Sequence, residues 1–317
     1  ALGTAFSASS HREATIGRIM TATTMVWYDG QLMPLEAVSC SLLEHGLHYG
    51  TGVFEGIRCY DTPSGAAVFR LEEHLLRLEK GAQVLGMSVD RNALGRAVRQ
   101  VLVANGHREA YIRPLVFYGT GSLGLDVGEH LQTHAAVATM EWSSHLGESA
   151  KINGVSLLKS EMRRVRAQAM PPLKLCGAYV NSVLAKRAAA QAGFDEALFV
   201  DDAGWVCEAT GENVFMVKDG VVTAVAHEDA LPGITRQTIM ELVRAEERPV
   251  AYDELCDADE VFLTGTSAEV APVRLLDGKV LEVGPVTRQV QALYEQAVNG
   301  TLPGYGAWLS TASSWAA

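Results

Sequence analysis

Cysteine is scarce: five in 317 residues, at Cys40, Cys59, Cys176, Cys207 and Cys256. The count is odd, the spacing wide, and no Cys-x-x-Cys pair occurs. That argues against a disulfide framework and a structural zinc site, and makes a reducing, cytoplasmic setting the expectation. Basic charge is also short, with 26 Lys and Arg against 37 Asp and Glu for a net charge of −11. The densest basic run, Arg163-Arg164-Val165-Arg166, is too short for a stripe that grips a polyanion, so no nucleic-acid partner is expected. No window offers ~18 consecutive apolar residues, so no membrane-spanning helix is expected. What the chain does have is apolar mass, 48% of residues, enough for a core and for two domains at roughly 100–200 residues each.

Residues 1–24 are rich in Ala, Ser and Thr and carry one acid, Glu13. They read as a disordered leader; a processed targeting segment has the same look. Short apolar runs flank Asp29-Gly30 and Asp219-Gly220, the signature of hairpins. Leu71, Leu75, Leu78, Ala82 and Leu85 recur at three and four, an amphipathic helix, and the pattern repeats over Asn92–Ala104. Residues 178–193, 234–245 and 285–297 also read as helices. Strands are expected at 110–118, 135–141, 154–158, 196–200 and 259–263. Mixed strands and helices predict an α+β fold in two lobes: a small one over 25–142, a linker over 143–150, and a larger one with a mixed-sheet core over 151–317.

Lys174 is out of place in the apolar stretch Met170-Pro-Pro-Leu-Lys-Leu-Cys-Gly. Desolvation lowers a lysine's pKa and exposes the neutral amine that Schiff-base chemistry needs; the alternative is a lysine snorkelling at a loop edge. Leu231-Pro232-Gly233-Ile234-Thr235 sets free N–H groups at a helix start, where phosphate is favoured. Gly265-Thr266-Ser267 offers further donors at a strand end. Arg77, between Leu76 and Leu78, is suited to a forked phosphate contact. Glu208 and Asn213 sit at a strand junction, where one carboxylate could meet a pyridinium nitrogen. His45 and His48 lack acidic or thiol partners at ligand spacing, so no metal site is expected. Glu72-Glu73 and Glu246-Glu247 read as solvated helix or loop faces. Gly119–Gly124 (GTGSLG) lacks the frame of a nucleotide loop.

Seven separated motifs then align in order: HYGTGVFEGIRCY, EEHLLRLE, YIRPL, KLCGAYVNS, GWVCEATGENVFMVKDG, LPGITR, and LTGTSAEVAPV followed by GPVTRQV. Together they resemble the bacterial branched-chain amino-acid aminotransferases of the class IV (fold-type IV) pyridoxal-phosphate enzymes, over Trp27 to Ala297. The resemblance implies a homodimer or higher homo-oligomer with pyridoxal 5'-phosphate between the lobes. It implies ping-pong transamination of L-leucine, L-isoleucine and L-valine with 2-oxoglutarate. Lys174 matches the Schiff-base lysine and proton shuttle, Glu208 the carboxylate on the pyridine nitrogen, and Tyr179 the tyrosine near the phenolic oxygen. Arg77, Gly233, Ile234, Thr235, Gly265 and Thr266 match the phosphate cradle, and Leu231 the residue against the ring. Tyr111, Thr266 and Ser267 match the α-carboxylate site. Phe54, Trp142 and His145 fall on the side-chain pocket, Arg113 on the distal-carboxylate site, and Tyr49 and Leu125 on positions given across the dimer.

The match has departures. Ser143-Ser144-His145-Leu146-Gly147 stands where Gly-Ala-Tyr-Leu-Gly is usual, so His145 replaces a pocket tyrosine. The stretch Ala245–Pro249 is a shortened helix-to-strand connection, expected as a loop. Gly81 replaces a common serine, and the paired-cysteine redox motif of mammalian relatives is absent. Within the same fold group, a D-amino-acid or (R)-amine aminotransferase and an aminodeoxychorismate lyase remain alternatives, but YIRPL, GVFEGIR and GTSAE fit the branched-chain branch better. A non-catalytic cofactor binder would not need Glu208 as an electron-sink partner.

Overall fold

The computed structural model describes residues 24–141 and 148–311. The first strands are β1 (Met25–Tyr28), β2 (Gln31–Pro34), β3 (Gly52–Phe54), β4 (Ile57–Thr62), β5 (Gly65–Phe69), β6 (Ala110–Tyr118) and β7 (Thr133–Met140). The helices α1 (His45–Tyr49), α2 (Leu71–Val84) and α3 (Arg91–Asn105) interrupt them. After α4 (Glu148–Asn153) comes a second set: β8 (Val155–Lys159), β9 (Glu196–Val200), β10 (Val206–Ala209), β11 (Asn213–Lys218), β12 (Val221–Val225), β13 (Glu246–Arg248), β14 (Glu260–Gly265), β15 (Glu269–Leu276) and β16 (Lys279–Val280). Its helices are α5 (Tyr179–Gln191), α6 (Ile234–Val243), α7 (Tyr252–Cys256) and α8 (Pro285–Val298), and a final strand, β17 (Leu309–Thr311), follows.

Two sheets make an α+β fold. The first runs β17-β5-β4-β6-β7-β1-β2, with β3 also on β6; the second runs β10-β9-β8-β15-β14-β11-β12-β13, with β16 on β15. Local chemistry explains the hairpins. Asp29-Gly30, Asp219-Gly220 and Asp277-Gly278 all adopt positive φ at both residues, the twist that a two-residue hairpin requires and that Asp-Gly tolerates at low cost. The helix over 179–191 ends as its sequence implies, with Gly193 left-handed just beyond it at φ +85°, the usual device for stopping a helix.

Two features differ from the sequence-based expectation. Glu246–Arg248 is a strand, not a loop: β13 lies parallel to β12, pairing Thr223 with Glu246 and Val225 with Arg248. Its two glutamates are exposed, but on an edge strand. And β17 returns to the first sheet, pairing antiparallel with β5. Arg70 fastens that return: its N–H donates to Trp308 O at 2.7 Å, and its guanidinium lies 4.9 Å from the Trp308 ring centroid.

Helices α2 and α3 cover the first sheet with Leu75, Leu78, Leu94, Val98 and Val101, all buried. Beneath α6 and α8, Phe215 on β11 faces Phe262 on β14, with centroids 4.8 Å apart and rings within 7° of parallel. Both are fully buried. Phe262→Ala is expected to lower the unfolding free energy by about 3–5 kcal/mol through lost burial and the cavity left behind, measured by equilibrium urea denaturation.

Candidate active site

A cleft opens between the two sheets, lined by Gly56, Arg77, Tyr111 and Lys174 on one side and by Asn213, Leu231, Gly233–Thr235 and Thr264–Ser267 on the other. The short antiparallel bridge Val53–Leu175 and the bond from Phe54 N–H to Lys174 O at 3.1 Å hang the lysine segment on the end of β3. Lys174 Nζ donates to Tyr179 Oη at 2.7 Å. The Phe54 ring packs edge-on to Tyr179 at 4.7 Å, so the lysine is walled by two aromatic rings.

The charge state of Lys174 in this cleft corrects the expectation of a lowered pKa. Burial does pull the amine down, but Tyr179, Glu55 and Tyr111 outweigh it against Arg77, and the net shift is upward. The apolar sequence around Lys174 carries the desolvation; the compensating groups come from α5, the link after β3, and β6. The shift favours the ammonium form, and Tyr179 is the hydrogen-bonded partner of the amine.

At one end of the cleft stands Glu208, on β10 and 5% exposed. Arg164 Nε donates to its Oε1 at 2.6 Å, while Leu231 N–H at 2.9 Å and Asn213 Nδ2 at 3.4 Å donate to its Oε2. Burial raises the Glu208 pKa, and Arg164 with the Leu231 N–H offsets only part of that rise. Glu208 is thus an acid whose ionisation depends on Arg164. That arginine has no place in a reading of the sequence by motif; it registers there only as part of a surface-looking basic run.

At the other end α6 begins. Gly233 is its N-cap without a side-chain cap, so the N–H groups of Ile234 and Thr235 are among those a helix leaves unpaired. Asn213 fits against this turn because Gly233 has no side chain: a Cβ there would fall 2.0 Å from Asn213 Oδ1. Asn213 Nδ2 meanwhile donates to Leu231 O at 2.8 Å. Thr264 Oγ1, also on the cleft wall, is buried without a hydrogen-bond partner. Such an orphaned hydroxyl is costly unless a ligand meets it.

Arg77 reaches the cleft from α2. Its Nε and Nη2 donate to Glu55 Oε1 and Oε2 at 2.6 and 2.9 Å, and Nη1 donates to Pro232 O at 3.0 Å. Tyr111 rises from β6 against Gly56, where a Cβ would lie 1.9 Å from its hydroxyl. Beside it Arg113 rests over the Phe54 and Tyr111 rings, 4.9 and 5.2 Å from their centroids, with Nη2 donating to Tyr111 Oη at 3.0 Å.

The fold therefore brings Lys174, Tyr179, Glu208, Arg77, Leu231, Gly233, Ile234, Thr235, Gly265, Thr266, Ser267, Tyr111, Phe54 and Arg113 to one cleft and its rim. Tyr49 and Leu125 are elsewhere, 45% and 80% exposed on an outer surface. Trp142 and His145 lie outside the described residues. Glu55 and Arg164 join the cleft without a role in the motif reading, although Glu55 stands inside HYGTGVFEGIRCY.

An amino-transferase class IV family profile matches residues 52–276. The branched-chain-amino-acid aminotransferase of Pseudomonas aeruginosa is 39% identical over 295 residues, 90% of this chain and 96% of that one. The Escherichia coli K12 protein of the same name is 36% identical over 296 residues, 90% and 96% of the two chains. Among solved structures, the T.th. branched-chain amino acid aminotransferase complexed with N-(5'-phosphopyridoxyl)-L-glutamate is 40% identical, with a TM-score of 0.86 over 91% of this chain and 98% of that one. The E. coli enzyme gives 35% and 0.87 over 91% and 99%. The cleft thus sits in a chain that is similar along nearly its whole length to these enzymes, and the chain belongs to the class IV aminotransferases.

Proposed function

We infer that the chain is a pyridoxal-phosphate-dependent branched-chain-amino-acid transaminase. It exchanges amino groups between L-leucine, L-isoleucine or L-valine and 2-oxoglutarate, in two half-reactions. The observation that carries this reading is the placement of Lys174 and Tyr179 between an ionisable carboxylate and a helix N-terminus. The donor set fits the cofactor: the unpaired N–H groups of α6, the orphaned Thr264 hydroxyl and Arg77 suit a phosphate. Glu208 suits a ring nitrogen, Tyr179 a phenolic oxygen, and Leu231 a ring face. Bound there, pyridoxal phosphate supplies the electron sink that makes an amino acid's α-proton acidic.

The remaining work belongs to side chains. Lys174 must pass its proton to attack a carbonyl, and Tyr179 is the group in hydrogen-bond contact with it. Once neutral, Nζ is the base placed to take an α-proton and return it. Glu208 keeps a negative charge at its end of the cleft only while Arg164 is paired with it. Tyr111 with the Thr266 and Ser267 segment provides donors for an α-carboxylate. Arg113 accounts for the double specificity: stacked on two rings and bonded to Tyr111 Oη, it remains satisfied while an aliphatic side chain fills the pocket, and it is the cation that would pair with glutamate's distal carboxylate.

A second copy of the chain completes this picture. Leu42, Leu43, Leu47, Tyr49, Leu123 and Leu125 are all exposed. Two bonds tie their segments into one apolar surface: Tyr49 Oη to Leu123 O at 2.7 Å and His45 Nε2 to Gly124 O at 2.9 Å. A homodimer buries that surface and brings Tyr49 and Leu125 to the neighbour's cleft. The division into small and large lobes and a cytoplasmic setting belong to the same proposal. No helix among the described residues is long and apolar enough to cross a membrane.

The direct test is an absorbance titration of the purified holoenzyme. L-valine is expected to convert the cofactor to its amine form and 2-oxoglutarate to reverse it; a response to D-alanine alone would overturn the reading. Arg113→Met should lower kcat/KM for 2-oxoglutarate by ~10- to 100-fold, the worth of a charged hydrogen bond, and leave the L-valine half-reaction within about twofold. Stopped-flow half-reaction rates separate the two. Arg164→Met should reduce kcat by about 100-fold. Because Glu208 works ionised and loses that charge as pH falls through its raised pKa, removing Arg164 raises the pKa further. The acidic limb of the kcat profile then moves to higher pH.

A further inference from the structure

We propose that Glu55 is a positioning residue for the cleft arginine: it fixes one edge of the Arg77 guanidinium so that the remaining N–H groups are presented to a phosphate. Glu55 is fully buried in the short link between β3 and β4, and its backbone N–H is tied to Pro114 O at 3.0 Å. Four donors converge on its carboxylate. Arg77 Nε at 2.6 Å meets Oε1; Arg77 Nη2 at 2.9 Å, His74 Nδ1 at 2.8 Å and the Gly56 N–H at 3.2 Å meet Oε2.

Arginine has five N–H groups in a rigid plane. Glu55 takes two, on the Nε–Nη2 side, and Pro232 O takes a third on Nη1. One N–H on each terminal nitrogen remains, and Arg77 lines the cleft. The carboxylate thus decides which part of the fork is spent inside the protein and which is left for a ligand. His74 serves the same end. It is 1% exposed on α2, one turn before Arg77, and with its Nδ1 protonated it pins the Glu55 carboxylate against rotation. Burial keeps His74 below the ordinary histidine range despite the pull of Glu55, so it acts as a neutral donor and does not compete with Arg77 for the anion's charge.

The proposal rests on reading the cleft as a pyridoxal-phosphate site, and it makes a prediction that charge alone does not. Glu55 is an anion near a bound phosphate, so by Coulomb's law its removal should tighten phosphate binding. Positioning predicts the reverse. A glutamine at this place turns one acceptor into a donor facing four donors, and Arg77 loses at least one arm of its clamp.

The experiment titrates the full-length apoenzyme with pyridoxal phosphate and, separately, with pyridoxal, which lacks the phosphate. The wild-type protein must bind the phosphorylated form at least about tenfold more tightly; without that preference the cofactor reading itself fails, and the proposal with it. Given that preference, Glu55→Gln is expected to cut it by about tenfold or more, because the lost charged hydrogen bonds serve one ligand group while any change at Lys174 acts on both ligands alike. An unchanged or larger preference for pyridoxal phosphate in the variant overturns the proposal, and a parallel loss of both ligands is such an unchanged preference. If Glu55→Gln does not fold, His74→Leu decides instead. A phosphate-selective loss of about threefold supports the proposal, and unchanged selectivity overturns it.

Discussion

Full charges buried between two sheets are the constraint around which this molecule is built. An isolated ion in a protein interior is far more costly than any single contact can repay, so each charge at the cleft has a fixed counterpart. Arg77 is held by Glu55, Glu208 by Arg164, and Lys174 by the Tyr179 hydroxyl and the field of Glu55. The partners come from different parts of the chain: Glu55 precedes Arg77 by 22 residues, and Arg164 precedes Glu208 by 44. No single element carries a complete site. The cleft exists only when α2, the lysine segment, β10 and the start of α6 are docked in register, so its geometry is a property of the whole fold.

That dependence costs stability, and the core supplies it elsewhere. Buried ion pairs are no better than apolar packing of the same volume as a source of folding free energy. The apolar layers are therefore where the fold gains its margin: α2 and α3 against the first sheet, and the Phe215–Phe262 stack beneath α6 and α8. The glycines of the cleft belong to the same balance. Gly56 and Gly233 have no side chain where the Tyr111 hydroxyl and the Asn213 amide stand, so two functional groups approach the backbone at distances that any other residue would block.

The parts of the fold legible in the sequence are those settled by local chemistry. Asp29-Gly30 and Asp219-Gly220 specify their hairpins because the two turn residues alone must adopt positive φ. The helix over Leu71–Val84 follows from its own periodicity, and the meeting of Lys174, Arg77 and Thr235 at one cleft is the placement that the ordered motifs imply. What was not legible is what partners at long range decide. Glu246–Arg248 has no strand pattern, because an edge strand beside β12 needs little apolar surface; its pairing comes from the second sheet. Leu309–Thr311 joins the first sheet only because Arg70 and β5 wait there. Arg164 looks like a solvated charge next to Arg163 and Arg166, and only the fold sets it against Glu208.

Lys174 shows most directly why burial read from sequence does not settle a charge state. Its neighbours in the chain are apolar, and desolvation acts on it in the direction they imply. Yet the groups that face it come from Tyr179, Glu55 and Tyr111, and together they reverse the sign. A lysine held protonated and in contact with a phenol is a stored acid, not a free nucleophile. On the proposed reading its chemistry begins with proton transfer, and Tyr179 is the hydrogen-bonded partner of the amine. In the proposed transaminase the lysine becomes a base only after that transfer.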